Sequence, residues 1–241
     1  MINSKMILHI SIVMIFFLLT KATPIYKNKV KIDHEIEGIL HEKKEVDQEE
    51  SFRCGPLPKR IIKKVKEVSW KENDKIQLND LYYVEVLHWG FDYKVHRGEL
   101  IVHRKVAEEV MEIFKKLYDK KFEIEKIRLI SEYNANDNLS MADNNTSAFC
   151  YREITGKKGM ISKHGYGIAI DINPLINPYV KGDVILPKEG KKYIQRDKKV
   201  KGLITKDSIV YKLFKEKGWT WGGEWKTLKD YQHFQKNISI E

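Results

Sequence analysis

The sequence predicts an α+β fold, a small antiparallel sheet flanked by helices, in a domain running from about residue 53 to residue 241. Three observations predict it. Two stretches carry apolar residues at helical spacing, and several short runs are rich in β-formers. With 42% hydrophobic and 32% charged residues, there is enough apolar material for a core and enough charge to cover it. The same balance excludes a wholly disordered or collagen-like chain. Only Cys54 and Cys150 are present, which excludes a disulfide-dense scaffold and a cysteine-rich zinc cluster. Lys and Arg number 44 against 34 Asp and Glu, a formal net charge of +10. That charge implies an anionic partner: nucleic acid, a membrane, or an anionic polymer such as a bacterial cell wall.

The elements follow in chain order. Lys5, an apolar run from Met6 to Leu19, and Thr20-Lys21-Ala22 have the plan of a secretory signal peptide over residues 1–22. An apolar run of about 14 residues gives roughly 21 Å of helix, short of the ~30 Å of bilayer hydrocarbon. An uncleaved membrane anchor and a buried helix are the alternatives, and no other stretch approaches spanning length. Residues 23–52 are richer in acid (Asp33, Glu35, Glu37, Glu42, Glu45, Asp47, Glu49, Glu50) and read as a solvated linker or short acidic helix. Cys54-Gly55-Pro56-Leu57-Pro58 then punctuates the start of the globular part. In an oxidising compartment Cys54 and Cys150 would form a disulfide contributing about 2–4 kcal/mol; two unpaired thiols are an equal reading.

Residues 81–87 read as a strand. Residues 104–118 read as an amphipathic helix, with Val106, Val110, Ile113, Phe114 and Leu117 on one face. Residues 127–130 and 167–172 read as buried strands and 230–235 as a third. Residues 207–217 read as a helix with Asp207 as N-cap and Gly218 after its end.

Three polar clusters lie where the chain should be burying apolar groups: Ser147 to Arg152, Ser162 to Asp171, and Asp230 to Phe234. Two imidazoles and a carboxylate, His164, His233 and Asp171, are a suitable ligand set for catalytic Zn²⁺ with a fourth position left for water. In a strand from Gly167, Ile168 and Ile170 point to one face, and Ala169 and Asp171 to the other. Asp171 is then opposite the buried side, and the small Ala169 leaves room for an ion. Gly165 and Gly167 permit a turn that folds His164 back toward it. Residues three apart face opposite sides of a strand, so Asp230 belongs to a turn before the strand of His233. There its carboxylate can take a proton from water and pass it to a leaving amine. Arg152 would hold the scissile carbonyl and its developing oxyanion. Each residue alone also has a structural reading: a surface or core histidine, a turn-forming Asp171 before Ile172-Asn173-Pro174, an exposed Asp230, a salt-bridged Arg152.

Ser162-x-His164-Gly165-Tyr166-Gly167-Ile168-Ala169-Ile170-Asp171, followed by Asp230-x-x-His233-Phe234, resembles the signature of the zinc D-alanyl-D-alanine carboxypeptidases and L-alanyl-D-glutamate endopeptidases. These are peptidoglycan peptidases that include vancomycin-resistance D,D-peptidases and many phage endolysins. Asn144-Asn145-Thr146-Ser147-Ala148-Phe149, Tyr151-Arg152, Asn177-Pro178-Tyr179 and Gly218-Trp219-Thr220-Trp221-Gly222-Gly223-Glu224-Trp225 extend the likeness, which spans about residues 81–234. The resemblance implies a small α+β domain with zinc at one end of an antiparallel sheet. It implies His164, Asp171 and His233 as zinc ligands, Asp230 as catalytic acid/base, and Arg152 as the group that polarises the carbonyl. Ser162 would orient ligand or substrate.

Trp219, Trp221 and Trp225 read first as packing and alternatively as a substrate groove, with Trp221 the candidate contact. The basic stretch 188–201 (Lys191, Lys192, Arg196, Lys198, Lys199) suits an anionic wall polymer or plain solvation, and the leader argues against nucleic acid. His88, His96 and His103 read as structural or surface residues. The expectation is an exported or cell-wall zinc metallopeptidase of peptidoglycan stem peptides, bound to the membrane only if its leader is retained. It would trim terminal D-Ala or cut L-Ala–D-Glu. A secreted zinc-dependent module that binds wall peptide without cutting it is the rival.

Overall fold

The computed structural model describes residues 51–154 and 157–240. The leader at 1–22 and residues 23–50 of the acidic linker lie outside the described residues. Among those described, no helix is long and apolar enough to cross a membrane. Ser51 and Phe52 are buried, and the Phe52 ring meets Tyr118 edge-on at 5.7 Å.

The largest sheet is an antiparallel meander of β1 (Arg53–Pro56), β2 (Leu81–Trp89) and β3 (Val95–His103). Alternation along β2 sends Leu81 and Tyr83 to one face and Val84 and Val86 to the other. Each face is covered by a helix. Ile61 and Val65 of α1 (Lys59–Val68) pack with Leu81, Tyr83 and Ile101. Val110, Ile113, Phe114 and Leu117 of α2 (Ala107–Asp119) pack with Val84, Val86, Leu100 and Val102. The expected helix from residue 104 opens with a 3-10 turn, Arg104–Val106, capped by His103 Nδ1, which accepts from the Lys105 N–H at 3.1 Å.

The expected strand over 127–130 shortens to β4 (Lys126–Ile127), parallel to β5 (Asn145–Thr146), and a 3-10 turn follows at Ile130–Tyr133. The Asn145 side chain ends the ladder. Its Oδ1 accepts from Arg128 N at 2.8 Å and its Nδ2 donates to Arg128 O at 3.1 Å, taking both backbone groups of Arg128. Next come α3 (Asp137–Ala142) and the hairpin strands β6 (Glu153–Ile154) and β7 (Lys157–Ile161).

Two three-stranded antiparallel sheets complete the domain. One orders β11 (Thr220–Trp221), β13 (His233–Gln235) and β8 (Ala169–Asp171); the other orders β10 (Val184–Leu186), β9 (Tyr179–Lys181) and β12 (Lys229–Asp230). Helix α4 (Ile209–Glu216) lies on the first, where Phe214 stacks on Phe234 at 4.3 Å. Its N-cap is Ser208, not Asp207. Asp207 is exposed, and its N–H turns to Thr205 Oγ1 at 3.3 Å. The expected strand 230–235 is two strands in two sheets: Asp230 closes β12 opposite Tyr179, and His233 opens β13 opposite Asp171.

Candidate metal centre

His233 and Asp171 are cross-strand partners at the end of the β13–β8 ladder. Such neighbours stand with Cβ atoms about 4.5–5.5 Å apart, so the register alone brings imidazole and carboxylate together. His164 arrives from a 3-10 turn, Lys163–Tyr166. Ser162 caps that turn, its Oγ accepting from the His164 N–H at 3.1 Å. Gly167 closes the turn in the left-handed region (φ 68°), and a Cβ there would sit 2.6 Å from the His103 nitrogen. The strand of Asp171 is covered on both faces, since Ile168, Ala169 and Ile170 are all fully buried. Room for an ion therefore comes from the strand's end, not from a small residue on an open face.

One ligand atom from each of His164, Asp171 and His233 lies within 4.8 Å of the others. His164 Nε2 is 3.3 Å from Asp171 Oδ2 and 3.2 Å from His233 Nδ1, which is 2.9 Å from Asp171 Oδ1. Tetrahedral ligands about 2.0–2.1 Å from a metal stand roughly 3.3 Å from each other, close to these separations. The outer ring nitrogens fix the tautomers. His164 Nδ1 donates to Ala148 O at 2.6 Å, leaving the Nε2 lone pair turned inward. His233 Nε2 donates to Gln235 Oε1 at 3.1 Å, leaving Nδ1 for the centre. The electrostatics match: burial opposes ionisation of Asp171, yet the two imidazoles hold its carboxyl far below the usual range. Burial likewise opposes protonation of His233, but the hydrogen bond and charge of Asp171 push it up to about 9. The pocket is built to stabilise positive charge, and three ligands of this chemistry can hold a metal ion.

Asp230 reaches the centre from the other small sheet. Its backbone packs against Gly222, where a Cβ would lie 2.5 Å from Asp230 O. Its Oδ1 is buried and has no hydrogen-bond partner among the described residues. Burial and the nearby Asp171 raise its pKa to about 6 against the pull of His233. Arg152 precedes the β6–β7 hairpin; its backbone oxygen accepts from Ser162 N at 3.0 Å, tying it to the turn of His164. Its Nε lies 2.5 Å from Asp137 Oδ2, an ion pair that lacks the alignment of a hydrogen bond.

The other expectations divide. Ser162 is buried and serves the His164 turn. Trp221 is placed as a packing residue: it is 4% exposed, stacks on Phe234 at 6.4 Å, and donates from Nε1 to Tyr231 O at 2.9 Å. Trp219 is buried with its Nε1 on Glu109 Oε1 at 2.9 Å. Trp225 is the tryptophan at the centre, its ring 5.5 Å from that of His233. In the basic stretch, Lys191, Lys192, Lys198 and Lys199 are exposed. Arg196 instead pins loops, donating to Ile176 O and Ile204 O, each at 2.8 Å. Cys54 and Cys150 are both free thiols, and burial pushes the Cys150 thiol up to about 12. Sequence reasoning missed Gln235 and Asp137. Gln235 had a signal, since residues i and i+2 share a strand face with His233; Asp137, 15 residues before Arg152, had none.

The family model described as D-alanyl-D-alanine carboxypeptidase matches residues 155–236, about a third of the chain. The match holds His164, Asp171, Asp230 and His233; Arg152 lies just before it. No solved structure matches the chain.

Proposed function

From the match of residues 155–236 to the family model described as D-alanyl-D-alanine carboxypeptidase, we propose that this chain is an exported zinc peptidase that hydrolyses a peptide bond in the peptidoglycan stem peptide. The observation that carries the reading is the buried Asp230 Oδ1, without a hydrogen-bond partner among the described residues, beside the Asp171 carboxylate and two imidazoles whose outer nitrogens are hydrogen-bonded away from the centre. His164, Asp171 and His233 would hold the zinc; the imidazole pair favours it over magnesium or calcium. Zinc, when bound, supplies a Lewis acid that acidifies water and polarises a carbonyl.

The chain's own groups do the rest. Asp230 Oδ1 accepts a proton from the attacking water and delivers it to the departing amine. A carboxylate buried beside the ligand groups is placed for both transfers. The Arg152 guanidinium supplies positive charge to the carbonyl oxygen as it becomes an oxyanion. Trp225 offers an aromatic wall next to His233. Export rests on the leader pattern of residues 1–22. Contact with anionic wall polymer rests on the net charge of +10 and the exposed lysines of 188–201.

The test is a digest of purified muropeptides by the zinc-loaded full chain, read by mass spectrometry with and without chelator. Free D-alanine marks cleavage of the terminal bond, and release of L-alanine-bearing fragments marks cleavage of L-Ala–D-Glu. Muropeptides retained by the protein but unchanged under zinc-replete conditions would replace the peptidase reading with that of a binding module.

A further inference from the structure

The mechanism above leaves one acidic group beside the centre unused. Asp137 is the first residue of α3, a short helix held from both sides. Asn136 Oδ1 accepts from Leu139 N at 3.1 Å, and Ser140 Oγ accepts from Asn145 Nδ2 at 3.0 Å. The carboxylate is therefore carried on a fixed element, and Asn136, not Asp137, caps the helix. Its ion pair with Arg152, whose backbone oxygen accepts from Ser162 N beside the turn of His164, brings it to the side of the metal cluster. Side-chain exposures of 31% for Asp137 and 35% for Arg152 leave the pair partly open to solvent. Burial raises the Asp137 pKa against the pull of Arg152, so its charge is costly, and Arg152 is its ion-pair partner at 2.5 Å. The carboxylate meets the guanidinium at Nε.

We propose that Asp137 is the positioning residue for Arg152, fixing the guanidinium by its Nε side so that the Nη donors face the carbonyl oxygen of the scissile bond. An arginine side chain has many rotamers to lose, and a group needed only as the oxyanion forms gains most from being held beforehand. The inference rests on the peptidase reading for its kinetic consequence but not for the pairing itself.

The experiment uses the zinc-loaded full chain and a double-mutant cycle of Asp137→Asn and Arg152→Ala, with Asp137→Ser as a second replacement. Asp137→Asn is expected to lower kcat about tenfold or more, with KM moved less than about threefold and zinc content unchanged. In the Arg152→Ala background the same change is expected to alter kcat less than about twofold, because nothing remains for Asp137 to position. An equal loss in both backgrounds, or no loss in either, would overturn the proposal. A second readout is independent of turnover. The ¹⁵N–¹H signal of Arg152 Nε, assigned by its absence in Arg152→Lys, is expected to shift in Asp137→Asn, and an unmoved signal would overturn the pairing. Muropeptides left uncut by the unaltered, zinc-loaded chain would instead sink the peptidase reading, and Asp137 would stand or fall on that signal.

Discussion

At the scale of single residues, the proposed function assigns different groups to holding an ion and to moving protons. Asp230→Ala is expected to keep zinc while turnover falls by about 10²–10⁴, whereas His233→Ala loses both; metal analysis beside muropeptide assays distinguishes the two. Turnover at the native rate in Asp230→Ala would remove it as the base. Gln235 acts one bond further out. Because its Oε1 holds the outer N–H of His233 at 3.1 Å, Gln235→Ala is expected to weaken zinc binding by about 10–100-fold, and Gln235→Glu to retain it. Competition against a zinc-binding dye measures this directly, and unchanged affinity in Gln235→Ala would show that the ring is fixed by its neighbours alone.

At the scale of elements, the end of β2 carries a buried histidine outside the centre. His88 is 4% exposed, hydrogen-bonded through Nδ1 to Ile124 O at 2.7 Å and stacked on His96 at 5.5 Å. Burial lowers its pKa to about 4, so it is neutral in the folded chain. Between about pH 6.5 and pH 4 the unfolded chain binds a proton there that the folded chain refuses. Stability is then complete above about 6.5 and falls with pH by up to about 3 kcal/mol. Denaturant titrations from pH 7 to 4 are expected to show a shallower fall in His88→Gln than in the unaltered chain; parallel slopes would mean the histidine opens to water as it charges. The elements also show where periodicity was sufficient. Strand 81–87 and helix 104–118 were legible because each turns one apolar set to a core. Run 127–130 was misread because an amide 15 or more residues away in the chain, that of Asn145, replaced its ladder. Helix α1, with four lysines and an arginine around two buried residues, carried too narrow a stripe to be seen.

At the scale of the whole molecule, the centre gathers side chains from two separate small sheets and a capped turn. The ligand set was legible because its chemistry is specific: two imidazoles and a carboxylate have few other uses as a group, and the motif words around them are dense. What was least legible was the support: Gln235 is announced only by sharing a strand face with His233, and Asp137 pairs with Arg152 through a contact that no local pattern announces. The reading of 230–235 as one strand failed for the same reason. Two sheets compete for that segment, and the chain crosses from one to the other between Asp230 and His233.

The two unpaired thiols have a consequence for how such a chain matures. A domain whose core closes without a covalent staple needs no oxidoreductase to fold, and the sealed Cys150 sulfur is a poor substrate for one. Dithiothreitol is therefore expected to leave the melting temperature of the purified protein where it was, with or without prior air oxidation. A drop on reduction would reveal a cross-link and a dependence on the thiol chemistry of the compartment it enters.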